Sequence, residues 1–230
     1  MRLLVAGFQI SALEDKASST FIDTCAGEAE LRRDLKGLQA QPPSLYSDPR
    51  GSQHLTTWNN LILQIFVPPK RSTFLIDVRG TTLRAILESL SIPKAFFYVR
   101  NDSDAIFNHD QIKLSAVQNL QLMELATRIF PKRRVNGLAK CIGSNSLMSA
   151  DDSTSWKNTK DKRQSFFGPE YGGSHEVQYC AQNVHSPLTL WPKYDRRMSR
   201  QWAARVKMEV ETVHGFLDPR HSTANENTWP

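Results

Sequence analysis

Six histidines and three cysteines are the side chains of this 230-residue chain most suited to metal binding or nucleophilic attack. Their spacing offers little. Cys25, Cys141 and Cys180 form no CxxC pair, so neither a disulfide scaffold nor a thiolate zinc site is expected. A reducing intracellular compartment suits such cysteines. His54, His175, His185, His214 and His221 lack metal-ligand spacing, and His109-Asp110 reads as a solvated loop. Ser174-His175-Glu176 are neighbours in sequence only, whereas a triad is a spatial arrangement. Gly172-Gly173 is too little for a phosphate-cradling loop. Lys132-Arg133-Arg134 could contact phosphate. Placed at a helix start it would oppose the dipole, and a solvated turn is the simpler reading. Trp58, Trp156, Trp191 and Trp202 read as packing residues before base-stacking platforms.

The elements that would position these residues follow from the hydrophobic pattern. Leu31, Leu35 and Leu38 have helical spacing within Ala26–Leu38, which Pro42-Pro43 ends. Strands are expected at 44–48, 61–67, 73–78 and 95–99, with a helix over 82–90. Helices then follow at 102–109, 121–130, 134–142, 151–163, 176–191 and 195–213, the fifth of them liable to bend or stop at Pro187 or Pro192. Strands followed by helices give an α/β fold with a covered sheet. Residues 1–16 read as a poorly determined lead, 17–213 as one domain, and 214–230 as a disordered tail. No apolar run reaches the roughly 18 residues a membrane helix needs, and no membrane partner is expected. Lys and Arg total 29 against 23 Asp and Glu, a net charge of +6, which permits an anionic partner without requiring one.

One long stretch is more specific. It reads TLRAILESLSIPKAFFYVRNDSDAIF, then QLMELATR, then VNGLAKCI. Upstream stand PPSLYSD, LILQIFVPPK and FLIDV, and downstream VQYCAQNV with an LW..Y pattern. These blocks, in this order over residues 20–213, resemble the RNase D-like 3'-5' exonuclease domain of the DEDD superfamily. The resemblance implies a ribonuclease H-like fold, a mixed β-sheet flanked by helices. It also implies hydrolysis of a terminal phosphodiester by two divalent cations, Mg²⁺ or Mn²⁺, acting on the 3' end of single-stranded RNA or DNA. Two cations about 4 Å apart clamp the attacking water and the leaving oxygen, and hard cations want carboxylates. The family therefore brings four acids together, with a tyrosine to orient the water.

Carried over residue by residue, the pattern is incomplete. The first motif falls on Asp48-Pro49-Arg50-Gly51, so Asp48 matches but Arg50 replaces the family's Glu. The second falls on Arg100 to Asp104, where Asp102 is the best match for the metal-binding acid and Asp104 the fallback. The third falls on Tyr179 to Asn183, where Tyr179 matches and Asn183 replaces Asp. Asn119 also stands where the QLME block usually has Asp. Each match has a plainer reading: Asp48 as a surface acid, Asp102 as a helix N-cap, Tyr179 as a core-edge tyrosine, Arg50 as an ion-pair partner of Asp48 or Asp102. Arg50 could also contact phosphate. The connections at Arg79-Gly80 and at His175–Gln178 are shorter than the family's.

Magnitudes favour loss of catalysis. A cation 4–5 Å from a second cation is repelled by roughly a few kcal/mol at an effective dielectric near 20, and Arg50 cannot deprotonate to escape. The expectation is a 3'-5' exonuclease-like nucleic-acid-binding domain with weak or lost hydrolysis, retaining Asp48 and Asp102 as weak metal ligands. A substitute acid (Asp77, Asp104 or Glu176) would keep it an enzyme. The alternative is a non-catalytic protein-interaction domain that reuses the fold.

Overall fold

The computed structural model describes residues 18–22, 29, 31, 33, 35, 43, 45–50, 62–68, 72–77, 83–129, 132–145 and 187–215. Six strands form one mixed sheet: β1 (Ser18–Ile22), β2 (Leu45–Arg50), β3 (Ile62–Val67), β4 (Ser72–Asp77), β5 (Lys94–Phe96) and β6 (Val117–Asn119). Their order is β1-β4-β3-β2-β5-β6. β2, β3 and β4 pair antiparallel, whereas β1 joins β4, and β5 and β6 join β2, in parallel. The helices are α1 (Arg84–Leu87), α2 (Val99–Asp110), α3 (Leu120–Thr127), α4 (Leu138–Ser144) and α5 (Arg200–Gly215), and residues 187–195 are also helical.

The sheet is covered on both faces. On one side Leu45, Leu63, Ile65 and Phe96 pack with Leu83 and Leu87 from α1 and Val99 and Ile106 from α2. Leu31 and Leu35 join that core, in keeping with the helix expected there, and residues 29, 31 and 33 are helical. On the other side Tyr46, Phe66 and Ala95 pack with Leu120 and Met123 of α3, Cys141 of α4, and Leu190, Trp191 and Tyr194. Burial on both faces explains why β3 reads as a near-continuous apolar run rather than an alternating one.

Several boundaries differ from the sequence pattern. β5 stops at Phe96 instead of running to residue 99, because the Phe97 carbonyl accepts from Gln121 N (3.1 Å) of α3 and no longer serves a ladder. α1 is one turn long. Its C-cap, Glu88, accepts from Arg84 (2.9 Å) and from the Lys113 N–H (3.1 Å) through its carboxylate. α2 begins at Val99 and ends at Asp110, so His109 and Asp110 form its last turn and not a loop. Gln111, at φ 56°, caps α2 in the left-handed region, and Arg84 donates to the Asp110 and Gln111 carbonyls (both 2.8 Å). A guanidinium on exposed helix-end carbonyls is favourable against the dipole. Pro192 does not interrupt helical residues 187–195. α5 ends two residues beyond the expected 213. β1 and β6 were not legible as strands, and the helix expected at 151–163 lies outside the described residues, as do 1–16 and 216–230.

Lys94 is the unusual member of the core. It is fully buried in β5, and its Nζ donates to the Ser89 (2.9 Å) and Ile92 (2.6 Å) carbonyls. Those bonds close the turn that delivers the chain from α1 into the sheet. Burial lowers its pKa from 10.5 to about 7. Between about pH 7 and 10 the unfolded chain therefore holds the extra proton. Stability attributable to Lys94 rises with pH across that window, and the full penalty applies below it. In urea titrations, Lys94→Met is expected to remove a component of that rise amounting to at most about 1.4 kcal/mol per pH unit. An unchanged pH profile would show that the ammonium is solvated.

Candidate functional site

The parallel pair β2 and β5 runs out at one edge of the sheet. Ser47 pairs with Phe96, the last residue of β5, and three residues later α2 begins at Val99. β2 continues past that point through Asp48, Pro49 and Arg50, paired with Gln64, Leu63 and Ile62 of β3. The end of β2 and the first turn of α2 thus leave the sheet side by side. The carboxyl ends of parallel strands in an α/β sheet are where ligands usually bind. The first two motifs, far apart in sequence, meet at this edge through their backbones.

Asp102 lies in the first turn of α2, and the N-cap is Tyr98, so the capping role does not hold. A negative charge there still suits the helix dipole. Asp102 and Asp104 are both half-buried. Two residues along a helix turn by about 200°, so they cannot both face one site. Asp102 falls on the side of buried Ile106, four residues on, whereas Asp104 falls with exposed Arg100, Asn101 and Asn108. Asp77 ends β4, paired with Ile62, three strands from β5. Tyr179, Asn183 and Glu176 lie outside the described residues. Among the described residues no three Asp, Glu, His or Cys side chains come together as a metal cluster.

Polar groups that spacing did not single out also gather near β2. Tyr46, Ser47 and Gln64 are buried, and the Tyr46 hydroxyl, the Ser47 hydroxyl and both ends of the Gln64 amide lack a hydrogen-bond partner among the described residues. Burial, with the charge of Asp195, raises the Tyr46 pKa, so this phenol stays protonated. Gln64 stands directly across from Asp48 in the β2–β3 register. Unsatisfied polar atoms are rare in a core; Tyr46 and Gln64 share one face of the sheet near the motif-bearing end of β2, and Ser47 lies on the other.

The QLME…ATR…VNG block has a structural explanation. Asn119 is the N-cap of α3, and its side chain accepts from Gln121 N (3.0 Å) and Leu122 N (3.3 Å). Asn caps as well as Asp, so its presence says nothing against folding. Glu124 and Arg128 form a double hydrogen bond one turn apart in α3. Glu124 also accepts from Asn136 Nδ2 (3.1 Å), and Arg128 donates to the Arg134 carbonyl (2.9 Å). Gln121 Nε2 donates to the Asn136 carbonyl (3.0 Å). The hydrogen bond to Glu124 raises the Arg128 pKa. This network binds the 132–137 loop to α3. Lys132 does not oppose a helix start: its Nζ caps the C-terminal end of α3 at the Ala126 carbonyl (2.7 Å) and lies 4.3 Å from the Trp202 ring centroid. Cys141, packed beneath, is no nucleophile, since burial and nearby Glu124 push its thiol up to about 11.

Glu124→Gln removes the carboxylate that Arg128 holds with two charge-assisted hydrogen bonds and is expected to cost about 1.5–3 kcal/mol in chemical denaturation. A loss under 1 kcal/mol would show that the pair is effectively solvated. Gln64→Leu removes the orphaned amide at similar volume and should raise unfolding stability by about 1–3 kcal/mol. A decrease would reveal that the amide is engaged.

No protein-family model matches the chain, and no curated protein matches it in sequence. Solved structures do. Trypanosoma brucei RNase D superposes with a TM-score of 0.72 at 18% identity, covering 94% of this chain and 78% of that one. Escherichia coli RNase D gives 0.70 at 19% identity over 90% of this chain and 52% of its own. Brucella melitensis NrnC, solved with bound Mg²⁺, gives 0.61 at 15% identity over 92% and 97%. The mixed sheet and its helical layers are therefore the ribonuclease H-like α/β fold of RNase D-like 3'-5' exonuclease domains.

Proposed function

We propose that this chain binds the 3' end of single-stranded RNA or DNA on a 3'-5' exonuclease fold whose hydrolytic site has decayed. The observation that carries the reading is the position of Arg50. It is the last residue of β2, held opposite Ile62 by a register unbroken from Tyr46–Phe66 onward. The resemblance aligns Arg50 with the family's Glu, and its place at the end of β2, beside the start of α2, supports that reading.

The donor set does not fit a pair of divalent ions. Of the four positions that the resemblance assigns, Asp48 and Asp102 are carboxylates, Arg50 is a fixed cation and Asn183 an uncharged amide. Amide and guanidinium groups offer a hard dication little or nothing in place of the missing oxygen anions. The same groups favour an anionic strand: a guanidinium binds phosphate oxygens in pairs and tolerates no competing cation. Trypanosoma brucei RNase D has been solved in complex with RNA U12, which supports a nucleic acid as the bound partner.

A 3'-labelled single strand incubated with Mg²⁺ or Mn²⁺ tests the reading. The unmodified protein is expected to bind the strand without shortening it, and Arg50→Glu combined with Asn183→Asp is expected to restore chelator-sensitive degradation. Degradation by the unmodified protein that stops on adding chelator would overturn the loss of catalysis and point to a substitute acid. Absence of any strand binding would favour a protein-interaction role.

A further inference from the structure

The strongest feature outside the candidate site is electrostatic. Between Asp195 and Glu209 the chain carries Arg196, Arg197, Arg200, Arg205 and Lys207 and no acid. The Lys132-Arg133-Arg134 loop is brought onto this segment by Trp202, whose ring centroid lies 4.3 Å from Lys132 Nζ and 4.9 Å from the Arg205 guanidinium carbon. These cations outnumber the whole chain's net charge of +6, so the remainder of the molecule is net acidic. The basicity is local.

The arrangement is fixed rather than incidental. Lys132 is tied to the Ala126 carbonyl and the Arg134 backbone to Arg128, which holds the loop on the end of α3, and Lys132 meets α5 at Trp202. α5 buries Val206 and Val210 and turns Arg200 and Lys207 outward. Arg133, Arg134, Arg196, Arg197 and Arg200 are exposed, and no carboxylate among the described residues pairs with them. Arg197 also helps to lower the pKa of Lys193, behind burial as the main cause, so like charges crowd here without neutralisation. Seven residues apart, Arg200 and Lys207 share one exposed face of α5, about 10 Å apart along its axis. An ordinary solvated surface mixes both signs; from Arg196 to Lys207 the chain carries only one.

We propose that the loop 132–134 and the N-terminal half of α5 form a track for the phosphate backbone of a single-stranded nucleic acid, gripping nucleotides distant from the 3' end. The track rests on the proposed nucleic-acid function and extends it: the end of β2 and the start of α2 take the terminal nucleotides, and the Trp202-centred cations take the strand that follows. Trp202 itself is covered by cations and organises charge, so recognition runs through phosphates and is indifferent to sequence.

The test compares Arg133→Gln, Arg134→Gln, Arg197→Gln and Arg200→Gln, combined, with the unmodified protein in chelator. The probes are an oligouridylate longer than about 16 nucleotides and a tetranucleotide of the same base. The fourfold variant is expected to bind the long strand at least about tenfold more weakly. Its log–log salt slope should be shallower by about 2–3, near 0.7 for each lost phosphate contact. Tetranucleotide binding should be unchanged. The corresponding fourfold Arg→Lys variant should keep long-strand affinity, and coincident thermal transitions would show that all three proteins fold. Unchanged long-strand affinity in the Gln variant overturns the track while leaving the 3'-end site standing. So does equal weakening of both probes, which would place these arginines at the end site. Failure of the unmodified protein to bind either strand overturns the track together with the nucleic-acid reading beneath it.

Discussion

Strand β2 is hydrogen-bonded to an antiparallel neighbour on one side and a parallel neighbour on the other. That change of direction dictates the rest of the architecture. The β2–β3–β4 side runs back and forth between adjacent strands, but a parallel partner for β2 demands a crossover, and α1 with its flanking turns provides it over one face of the sheet. α2 provides the next crossover, to β6, on the same face. The later helices are left to cover the opposite face, where Tyr46, Phe66 and Ala95 await them. Because β2 is central and covered on both sides, whatever residues occupy its end are presented at a fixed place beside the start of α2.

A sheet buried on both faces leaves little tolerance for polar atoms, and their accounting separates scaffold from site. Lys94 finds two carbonyls, Asn119 two amides, and Glu124 a guanidinium and an amide. These satisfied groups hold turns, caps and loops in place. Tyr46 and Gln64 are as deeply buried and have no such partners among the described residues. Native cores rarely keep orphans for nothing, since each costs on the order of 1–3 kcal/mol. Their place along β2 and opposite Asp48 marks where the fold departs from stability alone.

Most of the sheet was legible in the sequence because β3 and β4 are runs rich in β-branched and aromatic residues on either side of Pro68-Pro69, and α3 and α5 carry strong periodicity. β1 and β6 were not. A five-residue edge strand and a three-residue strand draw their identity from the partners they pair with, Ser72–Ile76 and Lys94–Phe96, and a local pattern cannot reveal distant partners. The block QLMELATR…VNGLAK was the most specific stretch of the sequence, yet in the structure it is a latch: a cap, a buried ion pair and a loop clamp. Its specificity came from buried geometry and not from chemistry. Conversely, Gln64 is a single polar letter in an apolar run. Only the register shows that it faces Asp48 across the ladder.

This separation bears on how such a fold could lose its reaction and keep its shape. A two-metal site gathers carboxylates whose mutual repulsion is relieved only by the bound ions, so the metal-free fold carries that repulsion as a cost. On the proposed reading, with Arg50 and Asn183 standing in for two acids, like charges would leave the cluster and the apoprotein would gain stability as it lost ligands. Nothing in the latch around Glu124 and Arg128, in the Lys94 turn or in the Asn119 cap depends on those acids. The scaffold therefore offers no resistance to decay of the chemistry. Phosphate affinity does not require the metal clamp, because exposed guanidinium groups supply it through charge alone. On physical grounds, binding is the property that outlasts hydrolysis in this fold, and a surplus of arginine concentrated beside Trp202 is the form that such a retained property would take.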